Sequence, residues 1–228
     1  MKTYKQYRAE GLAALKGNWS NALVATILIF IICFVFYGPY MWFYLTATTE
    51  VANADPVGFL KTFGVVIGVL AVGCFLFIYP LYVGYYKAFR NLNAENDGEI
   101  LRNTFRETFN SWGRNIWGMF LMYLFISLWS LLFIIPGLIK TFSYALTPYI
   151  LKDYPELSAN QAINLSRKMM KGHKLDFLCL GLTFIGWVIL SILTFGIGVL
   201  WLVPYMTSAT SVFYLDVKAD YEAKQVIS

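Results

Sequence analysis

The residues from Ala22 to Leu45 read ALVATILIFIICFVFYGPYMWFYL, a stretch without Asp, Glu, Lys, Arg or His. A helix rises about 1.5 Å per residue, so this stretch is long enough to cross the roughly 30 Å of hydrocarbon in a bilayer. Two further stretches, 63–86 and 117–139, also lack these residue types. Uncharged apolar runs of this length indicate membrane spans.

The composition of the 228-residue chain excludes an ordinary soluble domain. Apolar residues make up 58% and charged residues 14%, and the charged fraction is roughly half of that in typical soluble domains. The chain has a net charge of +5. Its basic residues border the apolar stretches and form no continuous basic face, so we expect no nucleic-acid partner. Cys33, Cys74 and Cys179 lie far apart inside apolar stretches. They predict no metal site, and we expect no cofactor.

The distribution of positive charge indicates how often the chain crosses the membrane. All Lys and Arg residues except Lys61 and Lys140 fall in four segments, at 2–16, 87–114, 152–174 and 218–224. Short cytoplasmic loops are rich in Lys and Arg, so we expect all four segments on the cytoplasmic side. An even number of crossings must then separate neighbouring segments. The short stretch 136–151, which contains Lys140, is therefore predicted to be a span of its own.

We predict an all-α, multi-pass protein of the inner cell membrane, with one domain over residues 1–228 and both termini in the cytoplasm. Its six transmembrane helices form three hairpins and are expected at about 22–45, 63–86, 117–135, 136–151, 176–195 and 198–215. The two helices of each hairpin are connected on the outer side, by residues 46–62, by a turn at Ile135, Pro136 and Gly137, and by the turn 196–198. Lys140 is expected to extend its ammonium group to the outer surface.

The three hairpins share a weak pattern of glycine and proline residues. A glycine near a basic residue precedes each hairpin, at Gly17, Gly113 and Gly172, and each returning helix carries a proline, at Pro80, Pro148 and Pro204. A proline leaves a carbonyl without its helical hydrogen bond, which a membrane helix tolerates where protein or water surrounds it. These prolines either lie along a substrate path or serve helix packing.

A short amphipathic helix is predicted at about 158–171, before the third hairpin. Ser158 and Gln161 have the spacing of a capping box, and Gly172 suits the helix end. Small and apolar side chains recur at helical spacing at Ala159, Ala162, Ile163, Ser166, Met169 and Met170. Two arrangements fit this pattern: the helix lies on the cytoplasmic membrane surface, or it packs against the cytoplasmic ends of the bundle. Residues 4–15 resemble a weaker copy of it.

A series of segments carries a resemblance to a known family: 132–140 (LFIIPGLIK), 143–151 (SYALTPYIL), 157–163 (LSANQAI) and 166–174 (SRKMMKGHK), continued at 184–187, 193–201 and 15–19. These segments resemble an uncharacterised bacterial integral-membrane family, known as domain of unknown function number 975. Residues 136–174 are also distantly similar to the membrane region that accompanies some glycerophosphodiester phosphodiesterases. Neither resemblance implies catalytic residues.

The candidate functional residues fall into two groups. Basic residues near the third hairpin are candidates for contact with anionic lipid headgroups: Arg167, Lys168, Lys171, His173 and Lys174. The hydroxyl groups of Thr207, Ser208, Thr210 and Ser211 either line a substrate path or bond neighbouring helices.

Two further patterns give weaker functional signals. His173 is the only histidine, and Asp153, Glu156 and Asp176 could join it in an acid–base or metal cluster, although their spacing fits no ligand pattern. Gly64 and Gly68 have the spacing of closely packed membrane helices and allow homo-oligomers.

From these observations we expect a non-enzymatic protein that organises the membrane or envelope, or that is a partner of other membrane proteins. Membrane lipids with anionic headgroups are the expected ligands. One alternative is a carrier of the transporter or flippase kind for an apolar or amphipathic substrate. A second alternative, a lipid-headgroup hydrolase, requires His173 and nearby carboxylates to meet in one pocket.

Overall fold

The computed structural model describes residues 1–47 and 56–227, and the secondary structure of this part of the chain is entirely helical. Its α-helices are α1 (Tyr4–Leu15), α2 (Trp19–Ala47), α3 (Pro56–Gly73), α4 (Tyr79–Glu95), α5 (Ile100–Phe109), α6 (Trp112–Leu132), α7 (Ile134–Tyr144), α8 (Thr147–Asp153), α9 (Ala159–Met169), α10 (Lys174–Leu182), α11 (Ile185–Leu193) and α12 (Val199–Ile227). A single π-helical turn, Cys74–Ile78, joins α3 to α4. Of the expected connection 46–62, residues 48–55 lie outside the described residues, while 46–47 belong to α2 and 56–62 to α3.

Four segments of the described chain are long and apolar enough to span a membrane. They are Trp19–Gly38, Trp112–Leu132, Ile134–Asp153 and Lys174–Leu193, close to four of the six predicted spans. The predicted stretch 63–86 is divided among α3, the π-helical turn and α4. All but the first residue of the predicted stretch 198–215 lies in α12, and more than half of this stretch is buried among other helices and includes several hydroxyl side chains. A helix that is surrounded by protein can be less apolar than one that faces lipid.

The helices form three consecutive units that contact one another in a cycle. Each unit begins with a short helix (α1, α5 or α9), continues with a long apolar segment (α2, α6, or α10 and α11 together) and ends with a returning helix (α4, α8 or α12). The short helix α5 packs on α4 of the first unit, and α9 packs on α8 and α6 of the second unit. The first helix, α1, packs on α12 of the third unit. Each short helix therefore lies against the unit that precedes it, and the first lies against the last.

The prolines of the returning helices lie at or near interruptions of regular helix. The π-helical turn ends just before Pro80, and Pro148 follows the break between α7 and α8. A proline at position 80 cannot donate to the carbonyl of Leu76, and the indole nitrogen of Trp112 donates to that carbonyl at 3.0 Å instead. Pro204 lies inside α12. All three prolines are buried in protein, as their tolerance in a membrane requires.

The predicted helix before the third hairpin is present as α9. Its capping box is confirmed, because the backbone N–H of Gln161 donates to the Ser158 hydroxyl and the side-chain oxygen of Gln161 accepts from the backbone N–H of Ser158. The apolar face predicted from the sequence is buried against the protein, with Ala162 and Met170 fully covered. The packed arrangement is therefore the correct one, and the apolar face is unavailable for insertion into lipid.

The turn predicted at residues 135–137 is displaced in the structure. The chain breaks at Phe133, which has extended backbone angles, and Pro136 lies in the first turn of α7, where proline is tolerated. Gly137 allows the close approach of α6, because a Cβ there would lie 2.8 Å from Ser130 Cα. The turn at 196–198 is confirmed: the backbone reverses through Phe195 and Gly196, which both have positive φ.

Candidate functional site

A buried ion cluster joins the three returning helices. The carboxylate of Asp153, at the end of α8, is 2.8 Å from Lys87 Nζ and 3.2 Å from Arg90 Nε, both on α4. It is 2.9 Å from Lys218 Nζ and accepts a hydrogen bond from the Tyr214 hydroxyl at 3.0 Å, both on α12. The side chain of Asp153 is only 1% exposed. One carboxylate thus holds α4, α8 and α12 together.

Aromatic rings fill the space beside this cluster. Tyr149 of α8 stacks on Tyr214 of α12 with 4.7 Å between ring centroids, and it contacts Tyr86 of α4 edge-on at 5.2 Å. Tyr149, Tyr214 and nearby Phe89 are fully buried. The space between the three returning helices is therefore closely packed.

The hydroxyl groups of α12 bond to other helices or to their own backbone. Ser208 donates to the carbonyl of Gly11 at 2.9 Å and lies 3.0 Å from the Asn93 amide nitrogen, which donates to it. Ser211 donates to the carbonyl of Phe89 at 3.1 Å. Thr207 and Thr210 donate to carbonyls one turn earlier, at Val203 and Met206. These bonds are those of helix packing, and they favour that interpretation over a substrate path.

His173 contacts two carboxylates near the C-terminal end of α12. Its Nδ1 is 3.5 Å from Asp176, and its Nε2 is 3.2 Å from Asp220. Lys224 hydrogen-bonds to Asp220 and lowers the pKa of that carboxyl below its ordinary value; burial opposes this shift and His173 adds to it. Asp153 has a different set of partners, and Glu156 is exposed. Within residues 1–47 and 56–227, no group of His, Cys, Asp and Glu is arranged to hold a metal ion.

Positive charges without acidic partners lie on and beside α9. Arg167, Lys168 and Lys171 are exposed, and Lys174 is partly exposed; in the described part of the chain none of them forms an ion pair. Arg167 and Lys174 lie close enough to repel the Lys140 ammonium, which sits 4.4 Å from the centre of the Trp129 ring. The Lys140 ammonium is thus packed over an aromatic ring, and its position on the outer side of the membrane stays a prediction. Packing of α9 and α10 against α7 brings these charges together.

Arg8 on α1 is held beside a candidate span, which the sequence patterns did not indicate. Its guanidinium donates to the carbonyl of Thr183 and to the Tyr205 hydroxyl, each at 3.2 Å. It also lies 5.2 Å from the centre of the Phe184 ring. Thr183 follows the end of α10, where helical carbonyls lack partners and attract a cation. Since Thr183 is in the middle of the candidate span Lys174–Leu193, α1 lies alongside that span.

A half-open, largely apolar pocket of about 470 Å³ begins at Arg8. Its walls come from α1, α2, α11, α12 and the turn between the last two: Leu12, Trp19, Trp187, Leu190, Ser191, Thr194, Gly198, Trp201, Leu202 and Tyr205. The hydroxyls of Ser191 and Thr194 donate to the carbonyls of Trp187 and Ser191. Arg8 is thus the charged residue of this pocket, and the hydroxyls of Ser191 and Thr194 already have hydrogen-bond partners.

One local signal in the sequence points to the position of α1. Tyr7, Gly11 and Leu15 are spaced by four residues and form the face of α1 that is buried. A Cβ on Gly11 would lie 2.7 Å from the backbone nitrogen of Ala209, so the glycine is needed where α1 meets α12. This spacing indicates a buried stripe, but it does not name the helix that covers it.

The comparisons with known proteins agree with the expected family. No curated protein and no solved structure matches the chain, and the similarity to the membrane region of glycerophosphodiester phosphodiesterases stays an expectation. A family model described as "Protein of unknown function (DUF975)" matches residues 116–221, from α6 into the C-terminal half of α12. Over this part of the chain, which is slightly less than half of its length, the protein is similar to that uncharacterised family, as the sequence resemblance predicted.

Proposed function

We propose that the protein is a non-enzymatic, six-span protein of the inner cell membrane, with both termini in the cytoplasm, that binds anionic lipid headgroups. By this binding it organises the surrounding membrane or holds other membrane proteins in an anionic lipid environment. The observation that carries the proposal is the group of exposed cations on and after α9, at Arg167, Lys168 and Lys171, which form no ion pair in the described part of the chain.

The contrast with other cations supports this assignment. Lys87, Arg90 and Lys218 share the carboxylate of Asp153, and Lys152 faces Glu107 at 3.6 Å. Those cations have protein counter-ions and contribute to the fold. The cations of α9 lie on the side of the helix opposite its buried apolar face, so their charge is available to headgroups. Juxtamembrane Lys and Arg residues gain about 1 kcal/mol each from an anionic membrane surface.

The six spans and three hairpins of the proposal go beyond the four candidate spans. The cyclic order of three units supports them, because each unit has a long apolar segment and a returning helix. The positive charge of α5, at Arg102 and Arg106, supports a cytoplasmic position for the connection after α4. Self-association through Gly64 and Gly68 remains compatible with this arrangement, since a Cβ at either position would meet no neighbouring atom.

The two alternative functions receive less support. A carrier with a central cavity conflicts with the packed rings of Tyr86, Tyr149 and Tyr214 between the returning helices. A hydrolase built on His173 would draw on Asp176 and Asp220, because Asp153 is occupied by three cations. Both carboxylates lie next to the imidazole, and neither they nor His173 line the cavities that contain Arg8, Phe142 and Ile32.

The proposal is tested by the thermal stability of the purified protein in a neutral detergent with added lipid. Phosphatidylglycerol should raise the Tm more than phosphatidylcholine does, because a ligand that binds the folded state stabilises it. Substituting Arg167→Gln, Lys168→Gln and Lys171→Gln together should remove most of the difference between the two lipids.

A matched control removes three positive charges that already have acidic partners. Lys2, Arg102 and Lys224 pair with Glu10, Glu99 and Asp220, so their replacement by Gln should leave the phosphatidylglycerol response largely intact. Equal responses of the two triple variants, or equal effects of the two lipids on the unaltered protein, would show that α9 is not the lipid-binding surface.

A further inference from the structure

We propose that the pocket beside Arg8 binds a single-chain anionic amphiphile. The acyl chain lies against the tryptophan and leucine side chains, and the carboxylate or phosphate of the headgroup pairs with the Arg8 guanidinium. This site is separate from the cations of α9, and its test is independent of the function proposed above.

The first support is the state of the Arg8 guanidinium. It has a carbonyl, a hydroxyl and two aromatic rings as neighbours, and no carboxylate of the described chain lies within ion-pair distance. A guanidinium carries five N–H donors, and Arg8 uses two of its nitrogens in these bonds. The remaining donors can meet an anionic oxygen, and arginine is suited to carboxylate and phosphate groups.

The second support is the position of Arg8. It lies next to Thr183, midway along a candidate span, where an ionisable group is costly and is usually found at a functional site. The Thr183 carbonyl, which accepts from Arg8, is left without a helical partner by the break between α10 and α11. The span therefore offers a hydrogen-bond acceptor at the place where α1 brings the cation. An anionic ligand neutralises the charge of Arg8 at this depth of the span, where little water is present.

The third support is the pocket itself. A volume of about 470 Å³ is within the range of about 300–1,000 Å³ that small-molecule sites occupy. Trp187 and Trp201 are 46% and 48% exposed, so their rings offer uncovered apolar surface beside the opening. The hydroxyls of Ser191 and Thr194 are engaged with backbone carbonyls. Such walls favour a hydrocarbon chain, while the charge at the end favours an acid over a neutral lipid.

Quenching of tryptophan fluorescence by 9,10-dibromostearic acid tests the proposal. The bromine atoms quench indoles that they contact, and Trp19, Trp187 and Trp201 line the pocket. In a neutral detergent, the acid should reach half of its maximal quenching of the purified full chain at a concentration at least tenfold lower than its uncharged methyl ester. Equal potency of acid and ester would overturn the proposal, because the charge would then play no part.

Two variants and a control locate the site. Arg8→Gln should weaken quenching by the acid about tenfold and leave the ester unchanged, whereas Arg8→Lys should retain part of the preference for the acid. Lys5→Gln removes an exposed charge from the same helix and should behave as the unaltered protein. An Arg8→Gln variant that binds the acid normally would refute the assignment.

A third variant covers the case in which Arg8→Gln does not fold. Leu12 is 45% exposed and lines the pocket, so Leu12→Trp should occupy its space without touching the charge. Weaker quenching by both acid and ester is expected, and unchanged quenching of a folded variant would refute the site. Unbrominated stearic acid and a lysophosphatidic acid, used as competitors, then distinguish a carboxylate ligand from a phosphate ligand by which one displaces the probe at lower concentration.

Discussion

Asp153 is the residue on which the largest number of charged contacts depends. Its buried carboxylate faces Lys87, Arg90 and Lys218, so a neutral side chain at this position would leave three cations close together without their shared counter-ion. Removing one partner of a buried ion pair costs about 3–5 kcal/mol. The cost should be no smaller where one carboxylate has three partners.

We therefore expect Asp153→Asn to lower the free energy of unfolding by about 3–5 kcal/mol, measured by thermal or denaturant unfolding in detergent. Glu99→Gln is the matched control, since Glu99 pairs with Arg102 on the exposed surface at 2.8 Å and such pairs contribute about 0–1 kcal/mol. Similar stabilities of the two variants would mean that the cluster does not hold the returning helices together.

Gly11 determines how closely α1 approaches α12. A Cβ at this position would lie 2.7 Å from the backbone nitrogen of Ala209, and a backbone atom cannot move aside as a side-chain tip can. We expect Gly11→Ala to destabilise the protein by about 1–3 kcal/mol, as overpacking does, and to make α1 more accessible to hydrogen exchange.

Gly113→Ala provides the comparison for this substitution. Gly113 is also helical, but a Cβ there would meet no atom within 4 Å, and alanine is favoured over glycine inside a helix by about 0.5–1 kcal/mol. This variant should be as stable as the unaltered protein or slightly more stable. Loss of stability in both variants would indicate that crowding at Ala209 is not the cause.

At the scale of elements, α1 is attached to α12 by a carboxylate whose charge depends on pH. Burial raises the pKa of Asp216, but hydrogen bonds from the Tyr7 hydroxyl and the Lys2 amide, together with nearby positive charge, lower it more. The net pKa lies below its ordinary value. A carboxyl of this kind contributes stability above the unfolded-state pKa, and the contribution is lost as the pH falls through the folded-state pKa.

Attachment of α1 should therefore weaken below about pH 4, since an unperturbed aspartate has a pKa near 3.9. Hydrogen exchange or limited proteolysis of residues 1–10 at pH 3 and pH 6 measures the change. Asp216→Asn should show weaker attachment at pH 6 and little further change at pH 3. An equal response of both proteins to acid would assign the effect to another group.

Local patterns in the sequence predicted the elements better than their partners. The capping box of α9 depends on Ser158 and Gln161, three residues apart, and it forms as expected. The position of Arg8 depends on Thr183 and Tyr205, which are far away in the chain, so no local spacing reveals it. The same reason hides the partners of Asp153. The packing of α9 and α10 on α7, which brings Lys140 near Arg167 and Lys174, is also invisible in local spacing.

At the scale of the whole molecule, the number of membrane crossings determines which connections face the cytoplasm. With six spans, the connection between α4 and α5 is cytoplasmic and the turn between α11 and α12 is outside. With only the four candidate spans, these two positions exchange sides, while both termini remain on the same side. Fusions at the termini therefore do not distinguish the two arrangements.

Labelling of single cysteines from outside the cell distinguishes the two arrangements. Glu99 and Ile197 are exposed and lie in the two connections that differ. In a variant whose native cysteines are replaced by alanine, we expect a membrane-impermeant maleimide to label Ile197→Cys in intact cells and Glu99→Cys only after the membrane is opened. The reverse pattern would establish four spans.

The cyclic contact of the three units has a consequence for how the chain is made. The second and third short helices find their partners among residues that have already been synthesised, but α1 packs on α12, which is synthesised after every other described helix. The Lys2 amide can meet Asp216 only after the 214 positions that separate the two residues have been translated. The first helix must therefore remain undocked while the helices between α1 and α12 are made, and its docking completes the cycle of contacts.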